Sequence, residues 1–184
     1  MKSNKIDPIT LSVVQGTLES TQREMTLTIE KTARSSVLNL AHDYSNALFN
    51  WGPEMILQGS DLAIHLGSLM PAVRAVHDYF KGDIHPGDVF YQNDPMYGGS
   101  HISDCCMYKP IFYEDELIFW AVSKAHLSDV GGPVPGSYNP DAKEIYAEGL
   151  RIPPIRLIDK GKERHDILNM LLTNFRARQD QTGD

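Results

Sequence analysis

The chain has almost no cysteine: only Cys105 and Cys106 occur in 184 residues, and they are neighbours. Adjacent cysteines bridge each other only under strain, and no third thiol offers another partner, so a disulfide framework is excluded. No run of about 18 apolar residues occurs, which excludes a transmembrane helix. Positive charge is also scarce, with 17 Lys and Arg against 24 Asp and Glu and a formal charge of −7. Nucleic-acid readers need clustered Lys and Arg, so neither nucleic acid nor membrane is expected as a partner. No Gly-x-x-x-x-Gly-Lys-Ser/Thr stretch is present, so no nucleotide site is expected within this chain. The start, MKSNKIDPIT, is charged and lacks the apolar core of a secretory signal. With two reduced thiols, that points to a cytoplasmic protein.

What is present suits one packed domain. The chain is 41% hydrophobic and 22% charged, a globular balance that argues against disorder. Its length sets the expectation at a single domain over residues 1–184. Asp7-Pro8 is a helix-start signal, and Leu11, Val14, Leu18, Met25 and Ile29 recur close to a 3.6 period. They predict a long helix over 8–35, with Gly16 as its weak point. Residues 44–50 and 55–58 flank the Gly52-Pro53 turn and read as a hairpin. A second helix is expected over 68–80 and a short strand over 89–92. Residues 105–113 and 117–125 form a second apolar pair about the turn 114–116. A helical turn at 144–150, a strand at 155–158 and a helix at 166–178 complete the chain, the last helix without a visible cap. The expected class is α+β: a mixed or antiparallel sheet with hairpins, flanked by a long N-terminal helix and a C-terminal helix.

Chemistry concentrates in two near-copies. GGSHISD at 98–104 and AHLSDVGG at 125–132 each carry His-x-x-Asp, giving His101 with Asp104 and His126 with Asp129. A hairpin centred on residue 115 pairs positions summing to about 230, and 101 and 126 sum to 227. The two histidines are therefore expected close together. His101, Asp104 and His126 make a two-histidine, one-carboxylate set suited to Mn, Fe(II) or Zn with positions left open. Asp129 reads as a fourth ligand or as an acceptor that fixes an imidazole tautomer. The bland alternative is that these residues only cap turns. His65 and the His42-Asp43 pair are candidate site walls, while His77, His85 and His165 read as surface or satisfied core residues. Glu144, Glu148 and Arg151 are read either as ion pairs at a helix end or as acid/base groups near the metal. The pairs Gly98-Gly99 and Gly131-Gly132 allow close approach to a ligand or simply a tight turn.

These motifs occur in a recognisable order: DPITLSVVQGTLES at 7–20, HDYSNALF at 42–49, IHLGSL at 64–69, HPGDVFYQNDPMYGGSHISD at 85–104, KAHLSDVGG at 124–132 and EIYAEGLRIPPIRL at 144–157. As a set they resemble the hydantoinase B/5-oxoprolinase family. That family includes alpha-type subunits of acetone and acetophenone carboxylases and the caprolactamase large subunit. Its members run to several hundred residues, so the resemblance implies that this chain matches an N-terminal portion. It also implies a hetero-oligomer with a hydantoinase A-type (ASKHA) partner that binds ATP and phosphorylates the substrate. The implied chemistry is hydrolytic opening of a cyclic amide, with ketone carboxylation as the alternative and a non-catalytic assembly role as a third. The resemblance implies a divalent metal, manganese or zinc, on His101, Asp104 and His126, leaving Asp129 and Glu148 as the expected catalytic residues. The chain departs from the family pattern at Cys105-Cys106, where aliphatic residues are common, and at the turn Trp51-Gly52-Pro53-Glu54.

Overall fold

The computed structural model of the chain describes residues 7–60 and 62–184, so the charged start at residues 1–6 lies outside the described residues. Helix α1 runs over Pro8–Thr32, with the Asp7 side chain accepting from the Thr10 amide at its start. Gly16 does not break it, since a helix this long absorbs the roughly 1 kcal/mol that one glycine costs. After a short α2 (Ser36–Asn39) come the strands β1 (Tyr44–Asn50) and β2 (Met55–Gln58). The turn between them is stitched by Asn50 Oδ1, which accepts from the amides of Gly52 and Glu54 at 3.0 and 2.9 Å.

Helix α3 covers Ala63–Tyr79, five residues more at its start than its apolar spacing predicts, with Pro71 inside. β3 (Val89–Gln92), β4 (Asp104–Tyr113) and β5 (Glu116–His126) follow, then β6 (Ile155–Asp159) and β7 (Lys162–Glu163). The predicted final helix is two pieces, α4 (His165–Asn174) and α5 (Arg178–Gln181). It is not unpartnered: Leu171, Leu172 and Phe175 are buried.

All seven strands form one antiparallel sheet in the order β2-β1-β5-β4-β3-β6-β7. This is the α+β fold expected from the sequence. Side chains alternate across a strand, so the sheet divides two apolar layers. On one face Ala47, Phe49, Phe90, Cys106, Tyr108, Trp120 and Val122 pack with Leu69, Val73 and Val76 of α3. On the other, Tyr91, Cys105 and Leu157 meet Leu171 and Phe175 at the α4 end. A fully buried side chain of the size of Phe49 or Phe90 stabilises by about 2–3 kcal/mol. The adjacent cysteines thus belong to opposite layers, which rules out a shared role.

Candidate metal centre

The site grows from the open end of the β4–β5 hairpin. Asp104 opens β4, His126 closes β5, and the two are direct cross-strand partners. The register sum of 230 expected from the sequence holds along most of the hairpin, and it pairs His126 with Asp104 rather than with His101. His101 comes in from the preceding turn, where the Asp104 amide bonds the His101 carbonyl at 3.0 Å. That i,i+3 turn sets His101 Nε2 2.9 Å from Asp104 Oδ1, and His126 Nδ1 lies 3.1 Å from the same oxygen. The imidazole centroids are 4.9 Å apart.

The turn is held by its neighbours. Gly98 has φ 86°, and a Cβ there would sit 2.6 Å from the Ala72 amide nitrogen and the Pro71 carbonyl carbon of α3. The glycine pair thus lets backbone approach backbone, not backbone approach ligand. Asn93, fully buried, donates to the carbonyls of Ile102 and Leu150 and accepts from the Ile152 amide, all within 2.9 Å. Arg151 forks onto both oxygens of Asp94 at 3.1 and 2.9 Å. The NDP and GLRIPP segments are therefore one structural stitch, and Arg151 takes the ion-pair role.

Asp104 is 3% exposed, while the His126 and His101 side chains are 29% and 51% exposed, so the cluster opens to solvent on the imidazole side. Burial alone raises the Asp104 pKa. Hydrogen bonds from His101, His126 and Ser100, with the charge of Lys124, outweigh that and hold the carboxyl far below its ordinary range. The bond to Asp104 pushes the His101 imidazole up. His65, buried on α3, is pulled down by desolvation although Asp104 and Asp43 lie 3.6 and 3.4 Å away. His65 lies against Asp104, and Asp43 against His65, as expected of site walls, whereas His42 turns to Glu30 and Tyr44, each at 3.2 Å.

His101, Asp104 and His126 each offer a donor atom, and the three lie within 4.8 Å of one another. The Asp104–His101 and Asp104–His126 spacings of 2.9 and 3.1 Å are hydrogen-bond distances, and they also match the roughly 3.0 Å between two donors held at right angles about 2.1 Å from an ion.

Asp129 and Glu148 do not join these donors. Asp129 Oδ1 accepts from the Gly131 amide at 2.8 Å, and Oδ2 from the Gly136 amide and Arg176 Nη1 at 2.9 Å each. Glu148 ends the 3-10 turn Ile145–Ala147, and its backbone lies where a Cβ on Gly132 would meet it at 3.1 Å. Sequence reasoning missed Lys124, Ser68 and Ser100, which gather behind Asp104. A signal existed: Lys124 is two residues before His126 on a strand and must share its face.

Fold and site together define a class: a helix-flanked antiparallel sheet with two histidines and an aspartate converging at the end of its central hairpin. The chain belongs to the hydantoinase B/oxoprolinase family, whose profile matches residues 7–184. It is 67% identical over 181 residues to the beta chain of the caprolactamase of Pseudomonas jessenii, covering 98% of this chain and 31% of that protein. The crystal structure of the ATP-dependent caprolactamase from that organism superposes with a TM-score of 0.93, over 98% of this chain and 31% of that one. The B component of a putative D-/L-hydantoinase from a Pseudomonas species is 32% identical over 185 residues, covering 98% of this chain and 31% of that protein. A nucleotide-free acetone carboxylase structure matches with a TM-score of 0.87 at 23% identity, over 96% of this chain and 24% of that one, which shows a shared fold. The chain spans about a third of the length of the first of these relatives.

Proposed function

We propose that this chain carries the metal-holding region of a subunit that opens a cyclic amide in an ATP-dependent complex. The observation that carries the proposal is the convergence of His101 Nε2, Asp104 Oδ1 and His126 Nδ1. Identity of 67% to a caprolactamase component supports a lactam-type substrate. ATP is assigned to a partner of the hydantoinase A type. A divalent ion on this set supplies Lewis-acid polarisation of a carbonyl oxygen and lowers the pKa of water.

The chain's own residues prepare that chemistry. Asp104 is held ionised by its donors, and both histidines present a ring edge to it, so each can carry a proton or a metal but not both at one nitrogen. His101 is half exposed and Asp104 buried, so on this reading a substrate approaches the donors from the His101 side. Asp129 serves this reading by bracing the 129–136 loop after His126, and the Glu148 backbone packs against Gly132 of that loop.

The test uses the full-length protein with its partner, wild type against the His101→Ala/His126→Ala double variant. Elemental analysis should find about one divalent ion per wild-type chain and none in the variant; equal metal in both overturns the assignment. Turnover of a lactam with ATP and labelled bicarbonate should leave the product unlabelled. Label incorporated when acetone replaces the lactam assigns ketone-carboxylase chemistry instead. A double variant that assembles but no longer turns over excludes a purely scaffolding role.

A further inference from the structure

Behind the three donors lies a fourth charged group that the metal assignment does not use. Lys124 is 2% exposed, on a face it shares with the apolar Trp120 and Val122. The Lys124 ammonium donates to Ser68 Oγ at 2.6 Å and to Ser100 Oγ, and forms an ion pair with Asp104 Oδ2 at 3.3 Å. Each serine passes a proton onward. Ser68 donates to the His65 carbonyl at 2.8 Å, and Ser100 donates to Asp104 Oδ2. The two oxygens of Asp104 are therefore divided. Oδ2 is taken by Ser100 and Lys124, with His65 Nε2 3.6 Å away, while Oδ1 alone faces His101 and His126.

We propose that Lys124, acting directly and through Ser100, is a positioning residue that restricts Asp104 to one coordinating oxygen. It also weakens metal binding and keeps the ion more electrophilic. This deepens the metal assignment above and rests on it. Burying the lysine costs its hydration, which the two serines and Asp104 must offset, whereas a methionine would fill the same space without that cost. A plain counter-ion for Asp104 would become redundant once a divalent cation arrived, and it would then repel that cation. The fixed ammonium withdraws electron density from the carboxylate, leaving the ion less neutralised by its ligands. Affinity falls and Lewis acidity rises.

The proposal makes a prediction opposite in sign to that of a structural lysine. In the full-length protein, Lys124→Met should bind Mn2+ at least about tenfold more tightly, well within the bare repulsion of a monocation and a dication at an effective dielectric near 20. Ser100→Ala, which keeps the charge and cuts the relay, should tighten binding about fivefold, the value of one hydrogen bond. Both should change the zero-field splitting of bound Mn2+ in electron paramagnetic resonance, because each removes one of the two groups that hold Oδ2. Unchanged or weaker Mn2+ affinity with an unchanged spectrum overturns the role of Lys124. If Lys124→Met does not fold, the Ser100→Ala result decides by the same criteria. Wild-type protein that binds no Mn2+ or Zn2+ overturns the metal assignment, and the role of Lys124 falls with it.

Discussion

Asp129 is a carboxylate whose hydrogen-bonding capacity is taken up by its own loop and Arg176: it accepts from Gly131, Gly136 and that guanidinium. Burial alone raises its pKa, but those bonds outweigh the burial and hold it below its ordinary value. Asp129→Asn should therefore lower unfolding stability by about 2 kcal/mol at neutral pH. A folded-state pKa below the unfolded one gives a contribution complete above about pH 4 and lost as pH falls through the folded value. The gap between wild type and variant in urea titrations should accordingly shrink in acid; a gap that grows in acid contradicts the assignment. Burial likewise pushes the thiols of Cys105 and Cys106 up to about 12 and about 11, so both stay protonated at neutral pH. Native protein should resist iodoacetamide for hours and react at both positions once unfolded, which mass spectrometry reads directly. Residue types were legible in the sequence, since His101, Asp104 and His126, singled out by their spacing, do converge in the fold. Residue partners were less so: Asp129 repeats the motif of Asp104, and only the fold shows that one faces histidines and the other faces glycine amides.

Elements were legible where periodicity is strong. The β4–β5 register followed from locating one turn, because a hairpin's pairing is fixed once its turn is. The start of α3 was not, because Gly67 and Pro71 argue against a helix that packing nonetheless imposes. That helix matters to the site, since the 95–103 segment is seated on it at Gly98. Gly98→Ala would put a methyl 2.6 Å from two backbone atoms of α3 at a φ that alanine rarely adopts. It should cost about 2–4 kcal/mol in denaturant unfolding and weaken metal binding, because His101 rides on the displaced turn. Gly16→Ala in α1 is the control: nothing lies within 4 Å of the added carbon, and the helix should gain up to about 1 kcal/mol. Similar losses from both substitutions would mean that glycine content, not the seat on α3, sets the effect.

At the scale of the whole molecule, the site joins segments far apart in the chain: α3 supplies His65 and Ser68, the 100–104 turn and β5 supply the donors, and 150–152 locks the turn through Asn93. No local pattern announces that assembly, because it exists only once the sheet has brought β4 and β5 under α3. The same assembly makes the converged donor set a property of the folded state. The unfolded chain still has seven histidines, but it has no converged set, so an ion binding the native site stabilises the fold by mass action. At a free concentration 100 times the dissociation constant the gain is about 2.7 kcal/mol, a rise of roughly 5–10 °C in Tm for a chain this long. Calcium, which takes six to eight oxygen ligands, should give a much smaller shift than Mn2+ or Zn2+ at this nitrogen-rich set. His101→Ala/His126→Ala should abolish the shift while the protein still folds cooperatively, since both rings are partly solvent-exposed and neither carries the core. A metal-dependent rise that persists in the double variant would place the binding elsewhere in the molecule and separate the family's fold from the chemistry assigned to this end of it.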